Sequence, residues 1–355
     1  MADEADSKSV VGNNVWVQVP LPAGLKAQET ILFPVLFYLL NGPIWCKIDF
    51  GFLCPILEVF MIGFMDRIFM KGFIKACTEG DAKRDKDLVF PKDVKAFKDI
   101  SYGKAPVYNL LDVYRPADAE GKLPVLISVH GGGYCYGDKE LYRHYTAQFC
   151  HYGFAVINFN YTLAPHMVFP GPVVETNEVC RWLCENADEY GLDKENVVMI
   201  GDSAGAQIAS QYATVYSNPE YAGIMGINVP DFKLKAVSLG CGIYSFNIRS
   251  GGTQALERIY LTKKPEKFGE KLQVDKYITG NYPPTFIMSS PGDYLLSNLD
   301  PMYDLLKERG VTVEKHIYGD EKTYHVFFCD MNNEFGKLAN KEQAEFLKGF
   351  VGDLK

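Results

Sequence analysis

The chain has no Cys-x-x-Cys pair and no cysteine–histidine run with zinc-ligand spacing, although its 355 residues include nine cysteines. An odd, scattered set argues against a disulfide framework and a zinc site, and fits thiols kept reduced in a cytoplasm. Cys180 and Cys184, one helical turn apart, read as packed thiols. Positive charge is also short: 36 Lys and Arg stand against 44 Asp and Glu, giving a net charge of −8, and no basic run occurs. Nucleic acid is therefore not an expected partner. Met1 to Val10 carry acidic and polar side chains instead of a basic stretch followed by an apolar core, so no secretory signal is read there. Internal repeats and low-complexity tracts are missing too. Finally, no apolar run reaches the roughly 20 continuous residues of a membrane-spanning helix. Residues 31–40 and 50–70 come nearest, but Pro34, Pro55, Glu58, Asp66 and Arg67 break them and Pro43 stands between them. What is abundant is apolar mass: 47% hydrophobic residues suffice for one large domain plus an accessory segment.

Among the motifs, Gly201-Asp202-Ser203-Ala204-Gly205 is the most informative. The apolar, β-branched run 196–200 before it reads as a buried strand, and residues 206–213 after it read as a helix. A serine on a strand-to-helix turn, with glycine two positions away on each side, is a nucleophile elbow. The helix N-terminus then lies beneath the hydroxyl, with free N–H groups facing developing negative charge. A second strand, 124–129, runs into His130-Gly131-Gly132-Gly133-Tyr134. Consecutive glycines expose backbone N–H groups and tolerate positive φ, which suits an oxyanion hole for acyl transfer; alone they would be only a flexible turn.

A serine nucleophile needs a base, and the base needs an orienting acid; after an elbow the chain order is Ser, acid, His. His130, His144, His151 and His166 precede Ser203, leaving His316 and His325. His316 falls on the polar side of an alternating run beside Glu314, as a solvated strand histidine would. His325 follows a polar loop and precedes Val326-Phe327-Phe328, where apolar residues limit water, and it is the preferred base. For the acid, Asp293 follows the strand-like run 283–290, at the sheet edge where α/β enzymes gather catalytic groups. Asp293 would also serve as a helix cap, but Asp300, before Pro301, fits that role better.

From about Lys95 onward the chain resembles the hormone-sensitive-lipase family of α/β-hydrolases. His130-Gly131-Gly132-Gly133 matches the family's oxyanion motif, and Gly201 to Gly205 its Gly-Asp-Ser-Ala-Gly elbow. Asp293-Tyr294-Leu295 resembles its Asp-x-Leu segment, and His325-Val326-Phe327 its His-Gly-Phe segment with valine for glycine. Asn160-Tyr161-Thr162-Leu163-Ala164-Pro165 is similar to its Asp-Tyr-Arg-Leu-Ala-Pro stretch. The family's Asp and Arg there are Asn160 and Thr162, and the following Glu is His166, so a salt link at that place is not expected. The resemblance implies Ser203, Asp293 and His325 as the catalytic set, with oxyanion donors on Gly132, Gly133 and Ala204.

The implied fold is a mainly parallel sheet flanked by helices, with a helical cap. Strands are expected at 107–114, 125–129, 155–160, 197–200, 236–240, 285–289 and 313–318. Residues 81–99 read as a solvated connection, and the last helix as starting at an Asn340/Gln343 capping pair. Residues 1–94 would form the cap segment and 95–355 the catalytic domain, with a second cap piece at 247–277. Phe33, Phe37, Trp45, Phe52, Phe60 and Phe64 would roof the site; contact with a membrane surface is the weaker alternative, since Lys and Arg are sparse there. The implied activity is a serine carboxylesterase for small to medium acyl esters, acetyl esters included, working through an acyl-enzyme. It would need no cofactor or metal and take a small-molecule ester as its partner; a homodimer stays open. A non-catalytic small-molecule receptor on the same scaffold and an amide-cleaving relative are the competing readings. A peptidase would bring a gating domain for which there is no room.

Overall fold

The computed structural model describes residues 54–105, 107–244, 254–262 and 265–352. The chain divides into Met1–Glu58 and Val59–Lys355, and everything below concerns the second unit. Phe33, Phe37, Trp45 and Phe52 of the expected cap lie outside the described residues, as does the side chain of Phe60.

An eight-stranded sheet runs through the second unit in the order β1-β2-β4-β3-β5-β6-β7-β8. Its strands are β1 (Val94–Ser101), β2 (Leu110–Pro116), β3 (Leu123–Val129), β4 (Ala155–Phe159), β5 (Leu192–Asp202), β6 (Leu234–Gly240), β7 (Thr285–Ser289) and β8 (Val313–Ile317). The pairs β1–β2 and β2–β4 are antiparallel, and every later pair is parallel. Central strands buried on both faces read as unbroken apolar runs, as Val125 to Val129 and Val197 to Ile200 do. Their alternate side chains feed two cores. Val125, Ile127, Val129, Val197 and Met199 pack on one face of the sheet, and Leu126, Val198 and Ile200 on the other.

The order reverses at β3. Chain connections lead from β3 outward to β4 and then back past β3 to β5, so β3 and β5 are neighbours with Val129 opposite Gly201. Ligands of open α/β sheets gather at such a reversal, beyond the carboxyl ends of the strands. Here it sets the glycine loop and the elbow side by side.

Two sequence expectations need correction. Residues 81–99 are not a connection: helix α1 (Cys54–Asp85) runs into them and β1 follows. In β1 only Val94 is fully buried, with lysines on the open sides, so this edge strand lacks the apolar alternation that marks others. The final helix, Glu334–Lys348, starts before Asn340; its cap is Asn333, whose side chain accepts from the Gly336 N–H at 3.0 Å. Asn340 and Gln343 are buried inside it, donating to the Phe328 carbonyl (2.9 Å) and the Ser238 hydroxyl (2.7 Å). Their polarity serves long-range bonds that no local pattern announces.

Candidate active site

Ser203 leaves β5 at φ 51°, ψ −118° and opens the helix Ala204–Ser217. Few non-glycine residues adopt such a conformation, and close packing around it holds the strain. A β-carbon on Gly201 would meet the Gly205 carbonyl oxygen at 2.5 Å, and one on Gly205 the Val129 carbonyl oxygen at 2.1 Å. Strand, turn and helix therefore approach as closely as glycine permits. The Ser203 N–H is tied to the Gly240 carbonyl of β6 at 2.9 Å.

The sequence candidates converge. His325 Nε2 lies 2.9 Å from Ser203 Oγ, and His325 Nδ1 lies 2.7 Å from Asp293 Oδ1. Asp293 follows β7, and its side chain is fully enclosed. Its Oδ2 accepts from the Ser289 hydroxyl at 2.6 Å and its Oδ1 from the Leu295 N–H at 2.9 Å. Burial opposes its charge, but the His325 bond and these donors outweigh burial and hold the carboxyl below its ordinary value. An ionised acceptor there fixes the imidazole with Nδ1 protonated and Nε2 free to accept from Ser203. The Tyr294 ring packs on the His325 ring with centroids 4.3 Å apart. Among the described residues, Cys241 Sγ, a carboxylate oxygen of Asp293 and a ring nitrogen of His325 lie within 4.8 Å of one another. Burial pushes the Cys241 thiol well up, so it stays a neutral neighbour.

His316 and Asp300 sit elsewhere. His316 on β8 meets Glu314 at 3.2 Å and Glu342 at 3.4 Å and stacks on Phe286. Asp300 lies in the first turn of Leu299–Glu308 and pairs with Lys315 at 2.8 Å.

The glycine loop after β3 turns through positive φ at Gly132 (107°) and Gly133 (57°). A side chain on Gly132 would strike the Tyr136 carbonyl oxygen at 2.1 Å. The N–H groups of Gly132, Gly133 and Ala204 take no hydrogen-bond acceptor among the described residues. Gly132 and Gly133 border, with Ser203 and His325, a cavity of about 450 Å³.

One support of this loop was invisible in sequence. Asp202, inside the elbow motif, is buried beneath the loop and accepts from Gly131 N–H (3.0 Å) and the Tyr142 hydroxyl (2.7 Å). It ties the elbow to the loop, and nothing around Tyr142 in the sequence signals the pairing. Burial pushes the Asp202 carboxyl up to about 6, against the pull of Tyr142, His325 and Gly131. His130 moves the other way. Buried and stacked on Tyr161, it is pushed down to about 4 and donates from Nδ1 to the Gly131 carbonyl as a neutral ring.

A pH prediction follows with a definite sign. Between the ordinary 3.8 and about 6 the folded state holds the Asp202 proton that the unfolded chain releases. Its contribution to stability is therefore present at low pH and lost as pH rises through about 6. Asp202→Asn keeps the acceptor for Gly131 and removes the titration. Urea unfolding from pH 4 to 7 should show wild type losing ground to Asp202→Asn as pH rises. Parallel curves would mean that Asp202 is ionised throughout.

The missing salt link near Asn160 has a replacement. Glu175 accepts from the Thr162 N–H (2.6 Å), the Thr162 hydroxyl (2.7 Å) and the Asn109 amide (2.8 Å). Asn160 Oδ1 accepts from the Lys139 N–H at 2.6 Å. Neutral partners thus satisfy a buried carboxylate where the resembled family uses arginine.

A further part of the cavity wall comes from α1, which packs beside the loop. Phe73, Cys77, Asp81 and Arg84 line it. Arg84 pairs with Asp81 at 2.8 Å, and the Tyr136 hydroxyl donates to Asp81 at 2.9 Å. From the helix Gln254–Leu261, Arg258 grips the buried Asp66 of α1 at 2.7 Å, and Tyr260 stacks on Tyr134 of the glycine loop at 3.8 Å.

Comparison with known proteins agrees with this architecture. The family model BD-FAE matches residues 111–299, more than half of the 355. The probable carboxylic ester hydrolase LipM of Mycobacterium tuberculosis is 26% identical over 56% of this chain and 48% of its own length. The versiconal hemiacetal acetate esterase of Dothistroma septosporum is 26% identical over 58% of this chain and 67% of its own. The chain spans about half the length of the mycobacterial relatives it matches. Among solved structures, the tributyrin-phosphonate-inhibited esterase B of Lactobacillus rhamnosis superposes with TM-score 0.74 at 21% identity, covering 81% of this chain and 95% of that one. The hyperthermophilic esterase of Pyrobaculum calidifontis gives TM-score 0.63 at 22% identity, covering 83% and 98%. These two likenesses establish the fold. With a matching family model over most of the sheet, Ser203 and Asp293, the chain belongs to the BD-FAE family and has the α/β-hydrolase fold.

Proposed function

We propose that the chain is a serine carboxylesterase acting on small to medium acyl esters. The observation that carries this reading is the relay Ser203–His325–Asp293, with contacts of 2.9 and 2.7 Å, opening on a cavity edged by unpaired N–H groups. Ser203 Oγ attacks the ester carbonyl while His325 Nε2 takes its proton. The oxyanion forms against the N–H groups of Gly132, Gly133 and Ala204, donors that meet the charge developing in the transition state. His325 returns the proton to the leaving alcohol, and Asp293 stabilises the imidazolium in between. A water deprotonated by His325 then cleaves the acyl-enzyme. This chemistry draws only on side chains and backbone of the chain. The acetate ester in the fungal relative's name supports a short acyl group.

Helix α1 and Gln254–Leu261 act as the cap, since both reach the glycine loop and α1 walls the cavity. The seven cysteines whose side chains are described are free thiols, which supports a reducing compartment such as the cytoplasm. Among the described residues no helix is long and apolar enough to cross a membrane.

A fluorophosphonate probe should label wild type and leave Ser203→Ala unlabelled, and p-nitrophenyl acetate or butyrate should be turned over. Labelling without turnover of any ester, acetylated sugar or anilide would instead favour a ligand-binding scaffold. In the same ester series, Phe73→Ala should raise KM most for the longer acyl chains and leave Ser203 labelling intact. An unchanged chain-length preference would remove α1 from the acyl pocket.

A further inference from the structure

We propose that the outer face of helix α1 docks on an anionic lipid surface. The inner face of this helix is committed: Asp66 is buried against Arg258, and Phe73, Cys77, Asp81 and Arg84 line the cavity. The outer face is apolar and open. Phe64, Met65, Ile68 and Phe69 are 37%, 52%, 50% and 44% exposed, so four large apolar side chains within six residues face solvent. At about 100° per residue they span a sector of about 140°, too coherent to be scattered surface apolars.

Charge selects the occupant. Arg67, Lys71 and Lys75 are all exposed and follow one another at four-residue spacing, so they form a single row along one border of the apolar sector. Lys75 shares its charge with Glu79 at 3.8 Å, whereas the one acid of this stretch that would oppose the row, Asp66, is turned inward. A cationic row beside an aromatic and aliphatic stripe is the arrangement of an interfacial helix on acidic headgroups. The few cations in this region look sparse when counted along the sequence; the helix gathers them on one edge. A second copy of this chain would instead be expected to meet the row with acidic side chains, and a wholly apolar partner would leave the three cations idle.

Docking in this orientation sets the cavity's α1 wall beside the lipid, so that esters gathered at that surface are concentrated near Ser203. That consequence rests on the esterase reading; the binding itself does not.

The test uses the full chain carrying Ser203→Ala and sucrose-loaded vesicles, either phosphatidylcholine alone or with phosphatidylglycerol. Co-sedimentation is expected with the anionic vesicles, weak on phosphatidylcholine, and reduced as salt rises. Arg67→Glu/Lys71→Glu/Lys75→Glu should lower the partition coefficient on the order of 100-fold. Phe64→Ser/Ile68→Ser/Phe69→Ser should lower it about tenfold or more. The same changes in the Ser203 background should leave turnover of soluble p-nitrophenyl acetate near wild type, which shows that the variants fold. Equal binding to both vesicle types, or binding untouched by either triple variant, overturns the proposal. So does a chain that ignores vesicles and whose dimer dissociates in the serine variant, which would make the stripe an interface between copies. Vesicle binding by a chain with no esterase turnover would leave the docking surface standing and refute the esterase reading alone.

Discussion

Ser203→Ala and His325→Ala are each expected to lower kcat roughly 10⁴-fold or more, and the double variant to lose little beyond either single one. The reason is geometric. The serine hydroxyl is nucleophilic only while His325 Nε2, 2.9 Å away, can accept its proton. The imidazole in turn has no catalytic use once Ser203 Oγ is gone. Groups that act as one unit fail as one unit, so the losses should not multiply. KM should move far less than kcat, because neither side chain supplies much ground-state binding. Single-turnover kinetics on a p-nitrophenyl ester measure the chemical step directly. Multiplicative losses would show that Ser203 and His325 act independently, and the relay would have to be abandoned.

Asp293→Asn is expected to cost about 10⁴-fold in kcat with the fold intact. The asparagine oxygen can still take the Ser289 bond that Asp293 Oδ2 receives at 2.6 Å, with the amide nitrogen in the place of Oδ1, which accepts from both Leu295 and His325. Its amide then faces His325 Nδ1 as a donor. That favours the tautomer protonated at Nε2, which cannot accept from Ser203, and it removes the charge that stabilises the imidazolium. Asp300→Asn and His316→Ala provide controls. Asp300 pairs with Lys315 on the surface, and His316 sits between Glu314 and Glu342 over Phe286, so both variants should keep near-normal turnover. The His316 variant should lose about 1 kcal/mol of stability with its ring contact, readable by urea unfolding. A dead His316→Ala beside an active His325→Ala would reassign the base.

Much of the candidate site was legible before any coordinates because its parts are local. An elbow needs glycine at both Gly201 and Gly205 since neither place has room for a β-carbon, and an N–H loop needs glycine at Gly132 and Gly133 for positive φ. Central strands such as Val125 to Val129 announce themselves because a parallel strand covered on both faces must be apolar throughout. The edge strand Val94–Ser101 has no such requirement, and its sequence resembles a solvated connection. Asn340 and Gln343 mislead for a related cause: buried amides bonded across the fold resemble helix-capping residues when only neighbours in sequence are considered.

By itself, then, the sequence determined the elbow, the glycine loop, the places of Asp293 and His325 behind them, and the parallel sheet that carries them. Each of these is dictated by backbone sterics or by periodic burial within a few residues. Only the tertiary structure decided which distant groups support them. Asp202 meets Tyr142 under the loop, Glu175 satisfies Thr162 and Asn109 without an arginine, and Ser289 braces Asp293. The same holds for α1, whose residues gain their meaning from the direction each side faces: Phe73 and Asp81 toward the cavity, Phe64 and Ile68 away from it beside a row of cations. Composition along a helix counts such residues, but only its rotation against the rest of the fold separates a cavity wall from a docking face.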